Sequence, residues 1–368
     1  MMEECKDGSL PIWNLTNEIV AKSLLYTPSE EIIIGYIYPI TFVLCLIGNG
    51  GFLYVVFRIK RMHTITNTYL SHLACADIFY VGVNAVGILY TLLSSPVRYD
   101  TFVNSSLGCF LLVAPIYTTF ILAICIVTLV TFERYQAIVN PLGHRGMNSK
   151  SRTRKLLAIC WILSIIVSLG ATLIFGKHTR YCVLWPEGDD FQHLPDVIQF
   201  CQPIHPKIVV FCELCKSVPF FIALVWNIYM YTRILYALST GDEQLGKQEG
   251  DGVAATQASR FRNQVAKMLI INGAIFFICQ IWSRIASIDA IIVTISGEGI
   301  LTPDQYNAIL SLSRAMLFVN GLINPFVYNV TSSLYRKAFR DAFCFCKLGG
   351  DQTETIRSVS HPTTSSML

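Results

Sequence analysis

Residues 109–142 read CFLLVAPIYTTFILAICIVTLVTFERYQAIVNPL. About thirty of these positions form a mainly apolar run, long enough to cross the hydrocarbon core of a bilayer as a helix. Cys109 stands at one end, and the triplet Glu133-Arg134-Tyr135 followed by Pro141-Leu142 stands at the other. Charge at a membrane edge is costly, so an acid and a base adjacent at a helix end read as a neutralised pair with a task.

Composition extends the same reading outward. The chain has 368 residues, 53% hydrophobic and 14% charged, which is more apolar surface than a soluble domain can bury. The 13 cysteines are scattered, apart from Cys344-Phe345-Cys346 and the pair Cys212 and Cys215, which fall in or near apolar spans; zinc is not expected. There is no phosphate loop and no nucleophile-base set, so neither an enzyme nor a cofactor is expected, and nothing points to nucleic acid. The first ten residues, MMEECKDGSL, lack the basic and apolar regions of a signal peptide, so the first span is expected to direct insertion.

Seven apolar spans follow in order, and the expected fold is an all-α membrane protein, a seven-transmembrane helix bundle with a short amphipathic eighth helix. Residues 1–31 are a polar amino-terminal segment carrying the sequon Asn14-Leu15-Thr16. The spans cover residues 32–58, 66–93, 109–142, 154–175, 207–238, 262–293 and 305–329, within a bundle domain of residues 32–331. Between the fourth and fifth lies a loop whose segments 180–185 and 197–201, rich in β-formers, flank an acidic turn and predict a hairpin. Residues 239–259 are rich in Gly, Gln and Ser without periodicity and predict a flexible loop. Residues 332–346 alternate Arg336, Lys337 and Arg340 with Phe339 and Phe343 at helical spacing, as a helix lying on a membrane lipid surface does. Residues 347–368 are Ser/Thr-rich and predict a disordered tail.

Lys and Arg settle the orientation. The side that holds the loops after the first, third and fifth spans carries 19, the side of the amino terminus carries 6, and Lys216, Arg284 and Arg314 fall within spans. By the positive-inside rule the amino terminus faces outward and the carboxyl terminus is cytoplasmic. Asn14 and Asn104 are then candidate glycosylation sites, whereas the sequon Asn329-Val330-Thr331 faces inward.

Asn49, Asp77 and Asn324 are polar groups at similar depth in three spans; unsatisfied, they would be expensive in hydrocarbon, so they are expected to bond to each other or to share an ion or water. Cys109 at the outer end of the third span calls for a partner, and Cys182 and Cys201 are the loop candidates. Arg284 and Arg314, each inside a span, are functional candidates by default and suit an anionic group or an amide carbonyl; Asp289 or Glu213 could instead pair with them.

These markers together resemble the rhodopsin-like G-protein-coupled receptors, over roughly residues 32–346. The resemblance rests on Gly48-Asn49, on Leu73-Ala74-Cys75-Ala76-Asp77, on Cys109 and Glu133-Arg134-Tyr135, on Trp161 and Pro219, and on Asn324-Pro325-Phe326-Val327-Tyr328. It implies a plasma-membrane receptor that opens its inner face to a heterotrimeric G protein, and later meets receptor kinases and arrestin. It implies a bridge from Cys109 to Cys201, leaving Cys182 for Cys5 or free, and palmitoylation of Cys344 and Cys346. It implies that Arg134 pairs with Glu133 at rest and is released toward Tyr328, and that Pro141-Leu142 forms the knob that enters the G protein. A sodium ion at Asp77 is a further implication, although Ala123 and Gly321 stand where relatives often supply oxygens.

Three departures from the family pattern bear on the mechanism. Relatives carry Phe-x-x-Cys-Trp-x-Pro in the sixth span; here Phe276 to Trp282 reads FFICQIW, with Trp282 two residues late and no proline. The usual tyrosine eight residues after Pro219 is replaced by Asn227, with Tyr229 nearby. The acid that clamps Arg134 from the sixth span is replaced by Arg262, which would raise basal activity.

The pocket expected from the resemblance is lined by Ile116, Tyr117 and Phe120 of the third span with Arg284, Arg314 and Phe318. Ile116 and Phe318 stand where amine receptors and opsins carry their ligand Asp and retinal Lys, so neither ligand class is expected. The hairpin loop resembles those of peptide receptors, and the outer face carries 13 acids against 6 bases, a field that would attract a basic peptide. An anionic lipid or small carboxylate is the rival ligand. A seven-span transporter or channel is the rival class, without the internal repeats that it would show.

Overall fold

A computed structural model describes residues 5, 10–98, 100–141, 149–245 and 253–343, with backbone alone for 241–245 and 253–262. Seven helices are long and apolar enough to cross a membrane: helix one (Pro28–Arg58), helix two (Ile65–Ser94), helix three (Ser106–Val139), helix four (Lys150–Phe175), helix five (Ile208–Thr240), helix six (Asn263–Ser296) and helix seven (Pro303–Thr331). Helix eight (Ser333–Phe343) follows, with Tyr335, Ala338 and Ala342 buried on one face. Side-chain oxygens cap several starts: Thr64 accepts the amide of Asn67, Ser105 that of Gly108, and Thr302 that of Gln305 in a reciprocal capping box. Helix six ends where Gly297 turns to φ +82°, a conformation that costs a residue without Cβ little.

The helical content exceeds the expectation in one place. Helix five runs on to Leu245 and helix six is preceded by helix from Val253, so the segment expected as a flexible loop over 239–259 is helical at both ends. Its Gly-rich centre, 246–252, lies outside the described residues. The tail from 347 and Cys344 and Cys346 lie outside them as well, as does Leu142.

The outer cap is more elaborate than a hairpin. Strand β1 (Ile12–Asn14) lies parallel to β2 (Lys177–Leu184), which pairs antiparallel with β3 (Val197–Gln202). Disulfides tie Cys109 to Cys201 and Cys5 to Cys182, so the hairpin is fastened to helix three on one strand and to the amino-terminal segment on the other. Leu15, Val97, Val183, Phe191 and Ile198 pack beneath into a separate apolar cluster. Arg98 bonds Glu30 at 2.5 Å, and the carboxylate of Asp100 accepts the amide of Gln199 at 2.9 Å, locking the first outer loop to helix one and to β3. Burial pushes the Asp100 carboxyl above its ordinary range, and that amide pulls it back.

At the other end, Tyr328 is buried among Phe52 and Tyr335, and the Tyr335 hydroxyl donates to Asn67. Helix five supplies a buried tyrosine to this end, though at Tyr231 and not at Tyr229, which stays half exposed. Tyr231 hydrogen-bonds Thr131 of helix three at 3.2 Å and presses on Gly273 of helix six, where an added Cβ would collide with its hydroxyl. Gly273→Ala is therefore expected to destabilise the bundle by about 1–3 kcal/mol through overpacking. The melting temperature of the purified protein checks this, and an unchanged value would contradict the close approach of helices five and six.

Candidate functional site

Between helices two, three, five, six and seven, beneath the hairpin, lies a chamber of about 600 Å³. Ile116, Tyr117, Phe120, Arg284 and Arg314 line it, as expected from sequence. Phe318 does not: it is buried against Tyr38 of helix one, rings stacked at 4.2 Å, because the turn of helix seven that carries it faces helices one and two while Leu317 faces the chamber. Two charged residues of helix five join the lining, Glu213 and Lys216, three apart on one helix face and paired at 2.6 Å. Lys216 also lies 5.2 Å from the centre of the Tyr117 ring.

The guanidinium of Arg284 is 4.8 Å from the Phe120 ring centre and 5.8 Å from that of Phe220. Its Nε and one Nη donate to Ser283, while the other Nη has no partner among the described residues. Neither carboxylate weighed as its partner takes that place. Glu213 is engaged by Lys216, and Asp289 accepts the amides of Ile300 and Leu301 at 2.8 and 2.9 Å, folding the third outer loop. Within 4 Å neither Arg284 nor Arg314 has a carboxylate among the described residues. Gln280 Oε1 and Glu213 Oε2 are buried and unpartnered too, so the chamber holds an unused donor and two unused acceptors. Each such group is costly to leave dry, and a ligand that bonds them recovers that cost.

Helix six explains the displaced tryptophan. Gln280 occupies the inward position, 4% exposed, and Trp282 turns away, only partly buried, its indole N–H unpartnered. Deeper, Asn324 donates to Asp77 at 2.5 Å, whereas Asn49 turns to the backbone carbonyl of Gly321 at 2.8 Å. The expected three-way cluster is thus a side-chain pair plus a brace onto helix seven. The cavity beside Asp77 is about 10 Å³, the lower limit for one water, and positions 123 and 321 offer no side-chain oxygen. The Thr119 hydroxyl is given to its own helix, to Pro115 and Ile116. Asn320 lines this cavity beside Asp77 and Thr119.

At the opposite end the acid and base of the triplet part company. Glu133 is 3.2 Å from Arg152 of helix four, and Arg134 donates to Thr66 of helix two. The physical reason is supply: the basic run opening helix four offers Glu133 another cation, so Arg134 takes a neutral oxygen across the bundle. Tyr135 faces Tyr229 of helix five, ring centres 6.2 Å apart. The side chain of Arg262 lies outside the described ones. Gln264, two residues on, accepts from Ser333 of helix eight at 2.9 Å. Lys216 and Tyr231 were missed as site residues, although 216 lies three after Glu213 and 231 lies four after Asn227, each on a shared helix face. Asn14 and Asn104 are both exposed on the hairpin end.

The model of the seven-transmembrane receptors of the rhodopsin family matches residues 48–328. The chain belongs to that family: it is a multi-pass membrane receptor that couples to G proteins, and not an enzyme. Among curated relatives it is 23% identical to the pyroglutamylated RF-amide peptide receptor of Rattus norvegicus over 88% of this chain and 74% of that one. It is 27% identical to neuromedin-U receptor 1 of Rattus norvegicus, over 83% and 71%, and 27% identical to that of Homo sapiens, over 96% and 84%.

Arg284→Ala is expected to weaken an activating ligand about 10–100-fold, the loss of a hydrogen bond to a charged group. Concentration–response curves in transfected cells measure it. Unchanged potency at equal surface expression would contradict a role for this guanidinium in recognition.

Proposed function

We propose that the chain is a plasma-membrane receptor, amino terminus outside, for an extracellular peptide ending in a primary amide. One observation carries this reading: the unused Nη of Arg284 and the unused oxygens of Gln280 and Glu213 line one chamber. A primary amide accepts through its oxygen and donates through its nitrogen, so it answers both kinds of group; a carboxylate answers the donor alone. Relatives named for an RF-amide peptide and for neuromedin U support a peptide ligand. The acidic outer face supports a basic peptide body.

Signal passes to the cytoplasmic end through Asp77–Asn324 and the Pro325 and Tyr328 segment of helix seven, and Arg134 exchanges Thr66 for the G protein, with Glu133, Tyr135 and Leu142 at the same interface. Receptor kinases and arrestin then act on the Ser/Thr-rich tail, which Cys344 and Cys346 anchor by palmitoylation. Glycans are carried by Asn14 and Asn104. The rival ligand, an anionic lipid or small carboxylate, is favoured by charge: Lys216, Arg284 and Arg314 line the chamber against Glu213 alone.

The two readings separate in a comparison of peptides that differ only in an amidated or free carboxyl terminus, with fatty acids as a third arm, read by calcium release through a promiscuous G protein. Amidated peptides are expected to act at concentrations about tenfold lower or better. Equal potency of the free acids, or response to fatty acids alone, would contradict the amide. Separately, Thr66→Val is expected to raise agonist-free signalling by releasing Arg134. A baseline unchanged from wild type would show that this bond does not restrain the resting state.

A further inference from the structure

Residues 253–272, which include the inner end of helix six, contain no Asp or Glu, so helix six offers Arg134 no carboxylate there. Arg134 goes to helix two and donates to the hydroxyl of Thr66. The next residue, Asn67, is buried and oriented: its Nδ2 donates to the carbonyl of Met62 at 2.7 Å, which turns its Oδ1 to the hydroxyl of Tyr335 on helix eight. Two residues before Tyr335, the hydroxyl of Ser333 donates to Oε1 of Gln264 on helix six at 2.9 Å. Arg134 and helix six are thus joined by a line of side-chain bonds that runs through helices two and eight.

The two ends of that line are held with unequal strength. Helix eight is seated on its neighbours: Tyr335, Ala338 and Ala342 are buried, and the Tyr335 ring packs against Phe52 of helix one and Tyr328 of helix seven. Asp341 pairs with Arg61 of the loop between helices one and two at 2.6 Å, and Arg336 donates to the carbonyls of Asn329 and Val330 at 3.0 and 2.8 Å, closing the end of helix seven. The Ser333–Gln264 contact, in contrast, is a single neutral hydrogen bond, worth about fivefold in an equilibrium. A bond of that size biases the position of a helix without fixing it. Helix eight is therefore the anchor, and helix six the part that can leave.

We propose that helix eight holds helix six closed in the resting receptor. Ser333 and Tyr335 are positioning residues that carry the restraint from Gln264 to the Thr66-Asn67 corner, in place of an acid on helix six. The Ser333–Gln264 bond must part before the inner face can open, so a segment remote from the ligand chamber sets the level of unstimulated signalling. The Arg134 end of the line rests on the resting bond to Thr66 proposed above; the bond between helices six and eight does not.

The test is agonist-free nucleotide exchange on a heterotrimer, together with the emission of an environment-sensitive fluorophore on Lys267→Cys, an exposed position of helix six three residues after Gln264, with the signal of the receptor lacking that cysteine subtracted. The fluorophore needs neither ligand nor G protein, so it separates failure of this restraint from failure of the amide reading. At equal amounts of receptor, Ser333→Ala and Gln264→Leu are each expected to raise exchange about fivefold and to shift the emission in the same direction. The double variant is expected to rise no further than either single one, because both remove the same bond. Ser333→Thr, which keeps the hydroxyl, is expected to behave as wild type, and Tyr335→Phe, which keeps the ring, to move both readouts as Ser333→Ala does. Unchanged readouts in Ser333→Ala and Gln264→Leu, a rise in Ser333→Thr equal to that in Ser333→Ala, a double variant that rises by the product of the two single effects, or Tyr335→Phe at the wild-type baseline would each overturn the proposal. A rise in Thr66→Val without one in Ser333→Ala would keep the role of Arg134 and remove helix eight from it.

Discussion

The organising constraint is the buried guanidinium of Arg284. It sits against the faces of Phe120 and Phe220, in a chamber where no carboxylate is within ion-pair reach among the described residues. A desolvated cation without a counter-charge is among the costlier features a membrane protein can hold. Aromatic faces and Ser283 offset part of that cost, and one Nη remains unanswered. The surroundings keep it so: Lys216 occupies Glu213 and the third outer loop occupies Asp289. One ion pair of the chamber and the loop amides that bond Asp289 leave this guanidinium without a carboxylate.

The outer cap serves the same end. Helix three is tied to β3, the amino-terminal segment is tied to β2, and the first outer loop is held by Arg98 and Asp100. Ordering these segments in advance lowers the entropy that a ligand must oppose on entry. At the far end the helices meet through small contacts that can be exchanged: Arg134 on Thr66, Ser333 on Gln264, Tyr231 on Thr131.

Most of the architecture was legible in the sequence because lipid imposes it. Span length, the charge bias between loops and the polar residues at matching depth each reflect the cost of polar groups in hydrocarbon, and that cost is read directly from residue type. Choices between near-equivalent partners were not legible. Whether Glu133 takes Arg134 or Arg152 depends on where helix four crosses helix three, and whether Phe318 or Leu317 faces the chamber depends on a rotation of helix seven that one hydrophobic residue resembles as well as the next. Parallel pairing of β1 with β2 joins segments far apart in the chain, with no local pattern to announce it. The helical ends of the 239–259 segment extend spans already formed, where propagation is favourable even for an indifferent sequence.

A structure of the receptor with an activating peptide and a heterotrimeric G protein tests the account most directly. The account predicts the ligand's terminal amide oxygen at about 3 Å from the guanidinium of Arg284, with its nitrogen turned to Gln280 or Glu213. A ligand terminus resting elsewhere, with Arg284 still bonded to Ser283 alone, would contradict it.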